Sequence, residues 1–385
     1  MGKRVLIVNS VCGTGSTGRI VAGIAKQYRE KGDTVRIAYG RGDVPDACKK
    51  YALRIGNDLD VRLHGVSTRI LDNHGFGSRL VTKRFLRWAD SFDPDVLWLH
   101  NIHGYYINIE ELFLWIKCRP EMEVRWTLHD CWAFTGHCAH FTVAGCEKWR
   151  TRCRDCQQSR AYPASWLLDR SKRNFEQKKE LFCGVENLTL VTPSHWLAGL
   201  VKESFLKKYP VRVIPNEIDR AVFKPTDGDF RKKYGLEGKQ VVLGVAAAWG
   251  RNKGLDDFIK LSKMLDNSYR IVLVGLTDEQ CRAVPKRILA MPKTDSPREL
   301  AEIYTTADVF FNLTYEDNYP TVNLEAEACG TRVVTYDTGG CRETVHRKDS
   351  RVVPVGDIRT LLLDLGIVGS HKYGGARAYA PGGGR

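Results

Sequence analysis

The stretch KRVLIVNSVCGTGSTGRIVAGIAKQYREKG, from Lys3 to Gly32, indicates the fold class of this chain. Its first part, KRVLIVNS, is a short continuous apolar run of the kind that is buried inside a parallel β-sheet. A glycine-rich turn follows, and TGRIVAGIAKQYREKG then carries apolar residues at helical spacing. The stretch therefore predicts a strand, a loop and an amphipathic helix in that order.

The alternation of strand and helix patterns continues along the chain. Further apolar runs predict strands at TVRIAYG (34–40), DVLWLHN (95–101), VRWTLHD (124–130) and LTLVTPS (188–194). The pattern pauses near VRVIPNEID, and a second series starts at QVVLGVAAAW after a polar segment that runs to Lys239. Two such series predict an α/β protein with two doubly wound parallel sheets, and open sheets of this type bind ligands at the carboxyl ends of their strands.

The 385 residues are enough for two domains of ordinary size. We predict an N-terminal domain over residues 1–215, with a cysteine-rich insertion at 131–158, and a C-terminal domain over residues 216–366. The remaining stretch, 367–385, contains SHKYGGARAYAPGGGR, which has no periodicity. We therefore predict a disordered tail there.

The chain carries a formal charge of +14 and has an isoelectric point near 9.2. This excess permits nucleic acid, a phosphorylated ligand or an anionic membrane surface as a partner, and charge alone does not choose among them. No apolar run reaches the roughly 18 residues of a spanning helix, and the first residues do not read as a secretory signal, so we predict a cytoplasmic protein.

The segment RLVTKRFLRW, Arg79 to Trp88, mixes cationic and apolar residues. Such a basic amphipathic pattern suits a helix that lies on a membrane surface. A solvated helix packed against its own domain gives nearly the same pattern, so both interpretations stay open.

Two loops carry residue types that bind phosphate. In CGTGSTGR, the residues Gly15, Ser16 and Thr17 would let backbone N–H groups approach an anionic ligand, although a plain tight turn explains this loop equally well. In WGRNKGLDDF, Arg251 and Lys253 follow a strand directly, where two cations can neutralise a diphosphate leaving group. Solvated basic residues in an exposed loop are the alternative.

A helix start is predicted in YEDNYPTVNLEAEACG, and the helix extends from about Thr321 to Cys329. Free N–H groups at a helix start can hold phosphate oxygens. The residues predicted to bind phosphate here are Asn318, Tyr319, Pro320 and Thr321. One turn further, the carboxylate of Glu325 can accept hydrogen bonds from two ribose hydroxyls. A solvated acidic helix is the alternative.

Taken in order, the motifs resemble a known family. They are GTGSTGR, LHNIHGYY, TLHDCWAFTGHC, VTPSHWLAGLV, VIPNEID, WGRNKGLDDF, EDNYPTVNLEAEACGTRVV and TGGCRETV, and the resemblance covers about residues 3–345. As a set they resemble the retaining GT-B glycosyltransferases of family four, in particular the bacterial exopolysaccharide and colanic acid branch. The resemblance implies two Rossmann-like domains facing each other across a cleft, with a nucleotide-sugar donor held mainly by the C-terminal domain and an acceptor held mainly by the N-terminal one.

The resemblance also implies catalytic residues, which are His129, Arg251, Lys253, Glu316 and Asp317. His129 matches the histidine that meets the donor sugar, and Lys253 matches the lysine that binds the diphosphate. Glu325 matches the second of two paired carboxylates. The first of the pair falls on Asp317, with Glu316 adjacent, so either one can contact the sugar.

Three features depart from the family pattern. Arg251 lies two places before the lysine instead of five, and NEID replaces NGID. The chain also continues from TGGCRETV into GGARAYAPGGGR, where family members form helices that pack across both domains, so we expect an incomplete C-terminal domain. The alternative to an active enzyme is therefore a catalytically impaired GT-B protein that binds nucleotide or glycan.

Four cysteines form the pattern C-x7-C-x6-C-x2-C, namely Cys138, Cys146, Cys153 and Cys156. The last two resemble the ligand pair of a structural zinc site. His137 and His140 are competing ligands. Reduced, partly buried thiols are the alternative, because only one CxxC pair is present.

The resemblance implies transfer of a sugar, with retention at the anomeric carbon, from a UDP- or GDP-sugar to a lipid-linked oligosaccharide. No metal cofactor is expected in catalysis, because cationic side chains and helix N–H groups can stabilise the leaving diphosphate. We expect this reaction at the inner face of the cell membrane. Nucleic acid is not expected as a partner, since it would explain the charge but not the ordered motifs.

Overall fold

The computed structural model describes residues 2–367. The strands of the first half are β1 (Arg4–Asn9), β2 (Thr34–Tyr39), β3 (Ala52–Arg54), β4 (Val96–Leu99), β5 (Glu123–Thr127), β6 (Leu188–Thr192) and β7 (Val211–Val213). All are parallel, and they form one sheet in the order β3-β2-β1-β4-β5-β6-β7. The strand order reverses beside β1, which makes the sheet doubly wound.

Helices connect these strands. They are α1 (Gly15–Glu30), α2 (Asp46–Lys49), α3 (Asp58–Leu71), α4 (Arg79–Phe92), α5 (Ile109–Lys117), α6 (Ser171–Phe182) and α7 (His195–Glu203). The predicted first unit is confirmed: β1 pairs on both sides, with β2 and β4, and α1 follows the glycine-rich loop. Alternate side chains of β1 pack into two different core clusters, Leu6 and Val8 in one and Val5 and Ile7 in the other, so both faces are buried and the apolar run is unbroken.

The second half repeats this architecture. Its strands are β8 (Gln240–Val245), β9 (Tyr269–Val274), β10 (Ile288–Met291), β11 (Val309–Asn312), β12 (Val333–Tyr336) and β13 (Arg351–Val353). Its helices are α8 (Phe230–Lys233), α9 (Leu255–Met264), α10 (Asp278–Ala283), α11 (Pro297–Thr306), α12 (Thr321–Ala328) and α13 (Ile358–Asp364). The six strands are parallel in the order β10-β9-β8-β11-β12-β13, so the predicted pair of doubly wound sheets is confirmed.

Helix α4 covers the basic segment for which two interpretations were open. Its apolar side chains Phe85, Leu86 and Ala89 are buried in the core of the first half, and only Leu80 at its start is strongly exposed. The structure therefore supports a helix packed on its own domain, because the apolar face that a membrane would need is already covered.

Polar contacts join the two halves of the chain beside the cleft between the sheets. Both carboxylate oxygens of Glu343 accept hydrogen bonds from the first N–H groups of α7, at His195 and Trp196. The Ser194 hydroxyl, which caps the same helix, donates to Asn318 at 2.7 Å. A carboxylate at a helix start is favourable because it binds N–H groups that have no partner within the helix.

Two further predictions concern the ends and the membrane. Apart from Ile367, the predicted disordered tail lies outside the described residues. Within residues 2–367, none of the helices combines the length and the apolar character that crossing a bilayer would require.

Candidate active site

The loops that follow the strands of both sheets enclose a cavity of about 370 Å³. The first half contributes Ser10 after β1, Arg41 after β2, Asn101 and His103 after β4, and Asp130 after β5. The cysteine-rich insertion and the residues after it contribute Ala139, His140, Gln158, Ala161 and Tyr162. Asn252 after β8 and Glu316 after β11 complete the wall from the second half. The cavity therefore lies where doubly wound sheets bind ligands.

His129 lies directly behind this wall, two residues after β5. Its Nε2 is 3.0 Å from Nδ1 of His100, and the two rings stack at 5.3 Å between centroids. Its backbone carbonyl accepts a hydrogen bond from Asn318 of the second half at 3.2 Å. Burial lowers the pKa of His129 to about 4, so the ring is neutral at pH 7.

Asp130 projects into the cavity beside His103. Its Oδ2 lies 2.9 Å from His103 Nε2, and its Oδ1 accepts a hydrogen bond from the Trp132 N–H at 2.9 Å. Burial acts to raise the pKa of the Asp130 carboxyl, but His103 and the Trp132 N–H outweigh it and hold this pKa well below its usual range. On its other side, His103 Nδ1 is 3.3 Å from the Tyr162 hydroxyl. The cavity thus contains an ionised carboxylate in a chain of polar contacts.

Buried polar groups fix the loop that carries Asp130. The Lys178 ammonium donates to the carbonyls of Trp132, at 2.8 Å, and Thr135, at 3.1 Å, and lies 3.5 Å from the centre of the Trp132 ring. Burial lowers the pKa of Lys178 to about 7. Beside it, the buried Asp72 carboxylate is 2.6 Å from Nδ1 of His137. These contacts satisfy backbone groups that burial would otherwise leave unpaired.

The structure separates the two carboxylates that were alternatives for sugar contact. Glu316 lines the cavity, and its Oε1 accepts from the Val143 N–H of the insertion at 2.8 Å. Asp317 points the other way and lies 2.7 Å from the Lys253 ammonium. Burial acts to lower the pKa of Lys253, but Asp317 outweighs it and raises this pKa above its ordinary value. The Lys253 side chain is therefore positively charged, and Asp317 holds it in place in the loop after β8.

Glu325 lies on α12 and is almost fully buried. Its Oε1 is 3.3 Å from Nη2 of Arg19, and its Oε2 accepts from the Tyr304 hydroxyl at 3.2 Å. Burial raises its pKa, while Arg19 and Tyr304 oppose that change. Because Arg19 belongs to α1, this contact crosses the cleft and brings the glycine-rich loop of the first half next to α12.

The remaining predicted residues surround α12. Pro320 precedes the helix and Thr321 begins it, as the sequence predicts, while Asn318 and Tyr319 are buried in the loop before it. The loop residues Gly15 and Ser16 are exposed at the start of α1, and Thr17 is half-buried. Arg251 is exposed, and among residues 2–367 it makes no ion pair.

The described residues give the predicted zinc site no support. Within the described part of the chain, no group of three or more His, Cys, Asp or Glu side chains is placed to hold a metal ion. The four thiols are Cys138 and Cys153, which are buried, and Cys146 and Cys156, which are partly exposed. His137 contacts Asp72 instead, and His140 lines the cavity.

Aromatic side chains of the insertion pack against one another. Its rings form a cluster in which Phe141 stacks on Trp149 at 4.9 Å and Phe134 contacts Trp149 at 5.4 Å. Cys138 and Cys153 are buried in the same core as small apolar side chains. Their burial agrees with the alternative interpretation of reduced, partly buried thiols, and the zinc site stays a prediction.

Comparison with known proteins identifies the second half. The sequence signature described as "Glycosyl transferases group 1" matches residues 227–361. Residues 227–361 are therefore similar to the group 1 glycosyl transferases. The predicted relation to GT-B glycosyltransferases of family four is thereby confirmed.

Two relatives match parts of the chain. Over 275 residues the chain is 26% identical to the colanic acid biosynthesis glycosyl transferase WcaC of Escherichia coli, a match that covers 70% of this chain and 66% of that protein. Over 120 residues it is 31% identical to the N,N'-diacetylbacillosaminyl-diphospho-undecaprenol alpha-1,3-N-acetylgalactosaminyltransferase of Campylobacter jejuni, covering 30% of this chain and 31% of that protein. The chain therefore spans just under two thirds of the first relative and under one third of the second.

Solved structures establish the GT-B fold around the group 1 domain. Sucrose-phosphate synthase from Thermosynechococcus elongatus superposes with a TM-score of 0.69 at 15% identity, over 94% of this chain and 89% of that one. HepE of Anabaena, solved in complex with UDP and glucose, superposes with a TM-score of 0.62 at 14% identity, over 95% and 90%.

The sequence interpretation missed several residues of the cavity wall. Arg41, Asn101, His103 and Tyr162 were not singled out, although the first three lie at or just after the ends of predicted strands. A rule that takes every polar residue just after a parallel strand would have found those three. Tyr162 carries no such signal, since only the path of the segment after the insertion brings it to the cleft.

Proposed function

We propose that the protein is a retaining glycosyltransferase that moves a sugar from a nucleotide diphosphate sugar to an oligosaccharide acceptor. The observation that carries this proposal is the shared cavity, in which Asp130 and His103 of one sheet meet Asn252 and Glu316 of the other. A cavity of about 370 Å³ lined by carboxylate, imidazole, amide and hydroxyl groups suits a polyhydroxylated ligand. The adjoining group 1 domain supports a nucleotide sugar as the donor.

The donor diphosphate binds, in this proposal, between the loop after β8 and the start of α12. Lys253 and Arg251 supply two positive charges, and the first turn of α12, which begins at Thr321, supplies N–H groups. During transfer, the bond between the anomeric carbon and the β-phosphate oxygen breaks. These groups stabilise the negative charge on the leaving diphosphate, so the chemistry requires no metal.

The nucleoside lies further along α12, with its ribose at Glu325. The Arg19 contact of Glu325 is partly exposed, so ribose hydroxyls can take its place while Tyr304 continues to hold the carboxylate. The loop Gly15–Thr17 then borders the nucleotide from the first half. This arrangement assigns donor binding mainly to residues 216–366 and acceptor binding mainly to residues 1–215.

The donor sugar contacts His129 and Glu316. Because His100 engages Nε2 of His129, the Nδ1 atom is left for a hydroxyl of the sugar. The acceptor hydroxyl attacks from the face that the diphosphate leaves, and its proton passes to the leaving phosphate oxygen. A new glycosidic bond forms with the original anomeric configuration.

The acceptor is a lipid-linked oligosaccharide at the inner face of the cell membrane, and the donor is a UDP- or GDP-sugar. Two comparisons support these choices: the Campylobacter relative is named for a diphospho-undecaprenol substrate, and HepE was solved with UDP. UDP-sugars are therefore the first donors to test, and the product fits the assembly of a bacterial exopolysaccharide or capsule.

The Lys253→Ala variant tests the donor site. Removing this cation from the diphosphate should weaken UDP binding at least about tenfold and slow UDP release from a donor sugar at least about a hundredfold. Isothermal titration calorimetry and a UDP-release assay measure these two effects.

Lys263→Ala is the matched control, because this exposed lysine lies in the last turn of α9, away from the carboxyl end of β8. It should leave both values within about twofold, which is less than 1 kcal/mol. If Lys253→Ala also left turnover within a few-fold of the parent, the diphosphate would not bind where we place it.

A further inference from the structure

Helix α3 presents an apolar stripe to solvent. Its exposed side chains include Leu59, Leu63, Val66 and Ile70, which are between 40% and 64% exposed. Their spacing of four, three and four residues places them on one side of the helix. The opposite side packs inward through His64 and other buried residues. An amphipathic helix normally buries its apolar side, whereas α3 exposes this apolar stripe to solvent.

A neighbouring loop enlarges this surface. Trp166 and Leu167 are 55% and 72% exposed. The backbone N–H of Trp166 donates to the carbonyl of Arg69 on α3 at 2.6 Å, so the loop lies beside the stripe. We define the α3 face as the exposed side chains Leu59, Leu63, Val66, Ile70, Trp166 and Leu167. A contiguous apolar surface of this kind marks an interaction site more often than scattered exposed residues do.

Exposed arginines lie on α3 and on the helix that follows it in the chain. Arg62 is exposed on α3 itself, and α4, which begins after a short loop, exposes Arg84 and Arg87. Within residues 2–367 none of these three arginines forms an ion pair, in contrast to Arg79, which contacts Glu111. Apolar side chains flanked by free cations suit an interface that is both apolar and anionic.

The α3 face is continuous with the mouth of the cavity. The Arg69 guanidinium lies 5.7 Å from the Trp166 ring and 5.8 Å from the Tyr105 ring. The Tyr105 ring is in turn 6.3 Å from that of Tyr162, which lines the cavity. An aromatic and cationic path therefore leads from the exposed surface to the polar site.

We propose that the α3 face docks on the surface of an anionic lipid bilayer. Leu59, Leu63 and Trp166 enter the boundary between headgroups and acyl chains, while Arg62, Arg84 and Arg87 contact lipid phosphates. Docking turns the Tyr162 side of the cavity toward the membrane. If the acceptor is lipid-linked, which rests on the proposed function, its sugar reaches the cavity while its lipid remains in the bilayer.

Vesicle co-sedimentation of the full chain tests the docking surface. Binding is compared between phosphatidylcholine vesicles and vesicles that also contain about 30% phosphatidylglycerol. We expect strong binding to the anionic vesicles only. The double variant Leu59→Ser/Leu63→Ser should bind at least about tenfold more weakly, because two exposed leucines no longer enter the apolar layer.

The matched control is Met264→Ser/Leu363→Ser, which removes two exposed apolar side chains from the second half. It should bind as the parent does. Equal binding by the two double variants, or no binding to anionic vesicles, overturns the proposal. Gel filtration is the second measurement: a dimer that dissociates in Leu59→Ser/Leu63→Ser would show that a second copy of the chain covers the α3 face, and would also overturn it.

Failure of this proposal is distinguishable from failure of the proposed function. Vesicle binding is measured without donor or acceptor, and UDP release onto a detergent-dispersed acceptor is measured without vesicles. If the protein does not bind vesicles but releases UDP, only the docking surface is wrong. If it binds vesicles but does not release UDP, only the transferase assignment is wrong.

Discussion

At the scale of single residues, burial determines the charge of the histidines near the cavity. The pKa values of His64 and His129 are lowered to about 4, because a buried imidazolium loses its hydration. In the proposed reaction, His129 therefore orients the sugar as a neutral group. Positive charge for the leaving diphosphate comes from Lys253, whose pKa is raised by Asp317 against the effect of burial.

The buried ring of His64 should make stability depend on pH. Its folded pKa of about 4 lies below the unfolded value of about 6.5, so as the pH falls between these values only the unfolded chain takes up the proton. The free energy of unfolding should therefore decrease as the pH falls from 7 to 4.5. His64 should account for about 2 kcal/mol of this decrease in the free energy of unfolding.

Urea denaturation at pH 7 and at pH 4.5 measures this contribution. In His64→Gln the decrease between the two pH values should be about 2 kcal/mol smaller than in the parent. His346→Gln, which changes a ring that is 60% exposed, is the control and should lose as much stability as the parent. An unchanged decrease in His64→Gln would show that this ring is not held neutral.

At the scale of elements, the loop after β12 is packed tightly against the loop before α12. A Cβ added at Gly340 would lie 1.9 Å from the carbonyl oxygen of Asn318 and 2.8 Å from Cβ of Ser194. At Gly339, a Cβ would lie 1.8 Å from the carbonyl oxygen of Asp317. The TGG motif is therefore needed because the loop before α12 lies directly on it.

Gly340→Ala should disturb the donor site through this contact. The loop before α12 must move to admit the methyl group, so we expect UDP affinity to fall at least about tenfold and stability to fall by about 1–3 kcal/mol. Gly23→Ala is the matched control, since an added Cβ in the middle of α1 meets nothing within 4 Å. It should leave UDP affinity unchanged and add about 0.5–1 kcal/mol of stability. Equal UDP affinity in the two variants would contradict this role of the TGG motif.

The sequence predicts the elements well where periodicity is strong. The unbroken apolar runs at β1 and β8 and the helical spacing in α1 follow from burial on both faces of a sheet and on one face of a helix, so they are readable locally. The helix start at Thr321 follows from Pro320 in the same way. The pairing of Lys253 with Asp317 and of Arg19 with Glu325 is not readable, because it depends on how distant loops meet.

The cysteine-rich insertion and α3 show a second limit of sequence patterns. Cysteine spacing predicts a metal site, whereas the packing of Phe134 and Phe141 on Trp149 carries no signal in the sequence. The basic amphipathic pattern pointed to α4, whose apolar face proved to be buried, whereas the exposed stripe lies on α3. Periodicity shows that a helix has an apolar side, but only the tertiary structure shows whether that side is covered.

At the scale of the whole molecule, the two halves act as one site because polar contacts join them at several points. Glu343 caps α7, Asn318 binds the His129 carbonyl, Glu316 binds the Val143 N–H, and Arg19 meets Glu325. These contacts lie beside the cavity, so a ligand that fills it interacts with both sheets.

The central claim is that this shared cavity transfers a sugar with retention. The most direct measurement follows the anomeric proton by NMR while the purified full chain is incubated with a panel of UDP- and GDP-sugars and a lipid-diphosphate-linked oligosaccharide. The account predicts a product that forms only in the presence of the acceptor and whose new glycosidic bond keeps the anomeric configuration of the donor. A product of inverted configuration, or UDP binding without turnover of any donor in the panel, would contradict it.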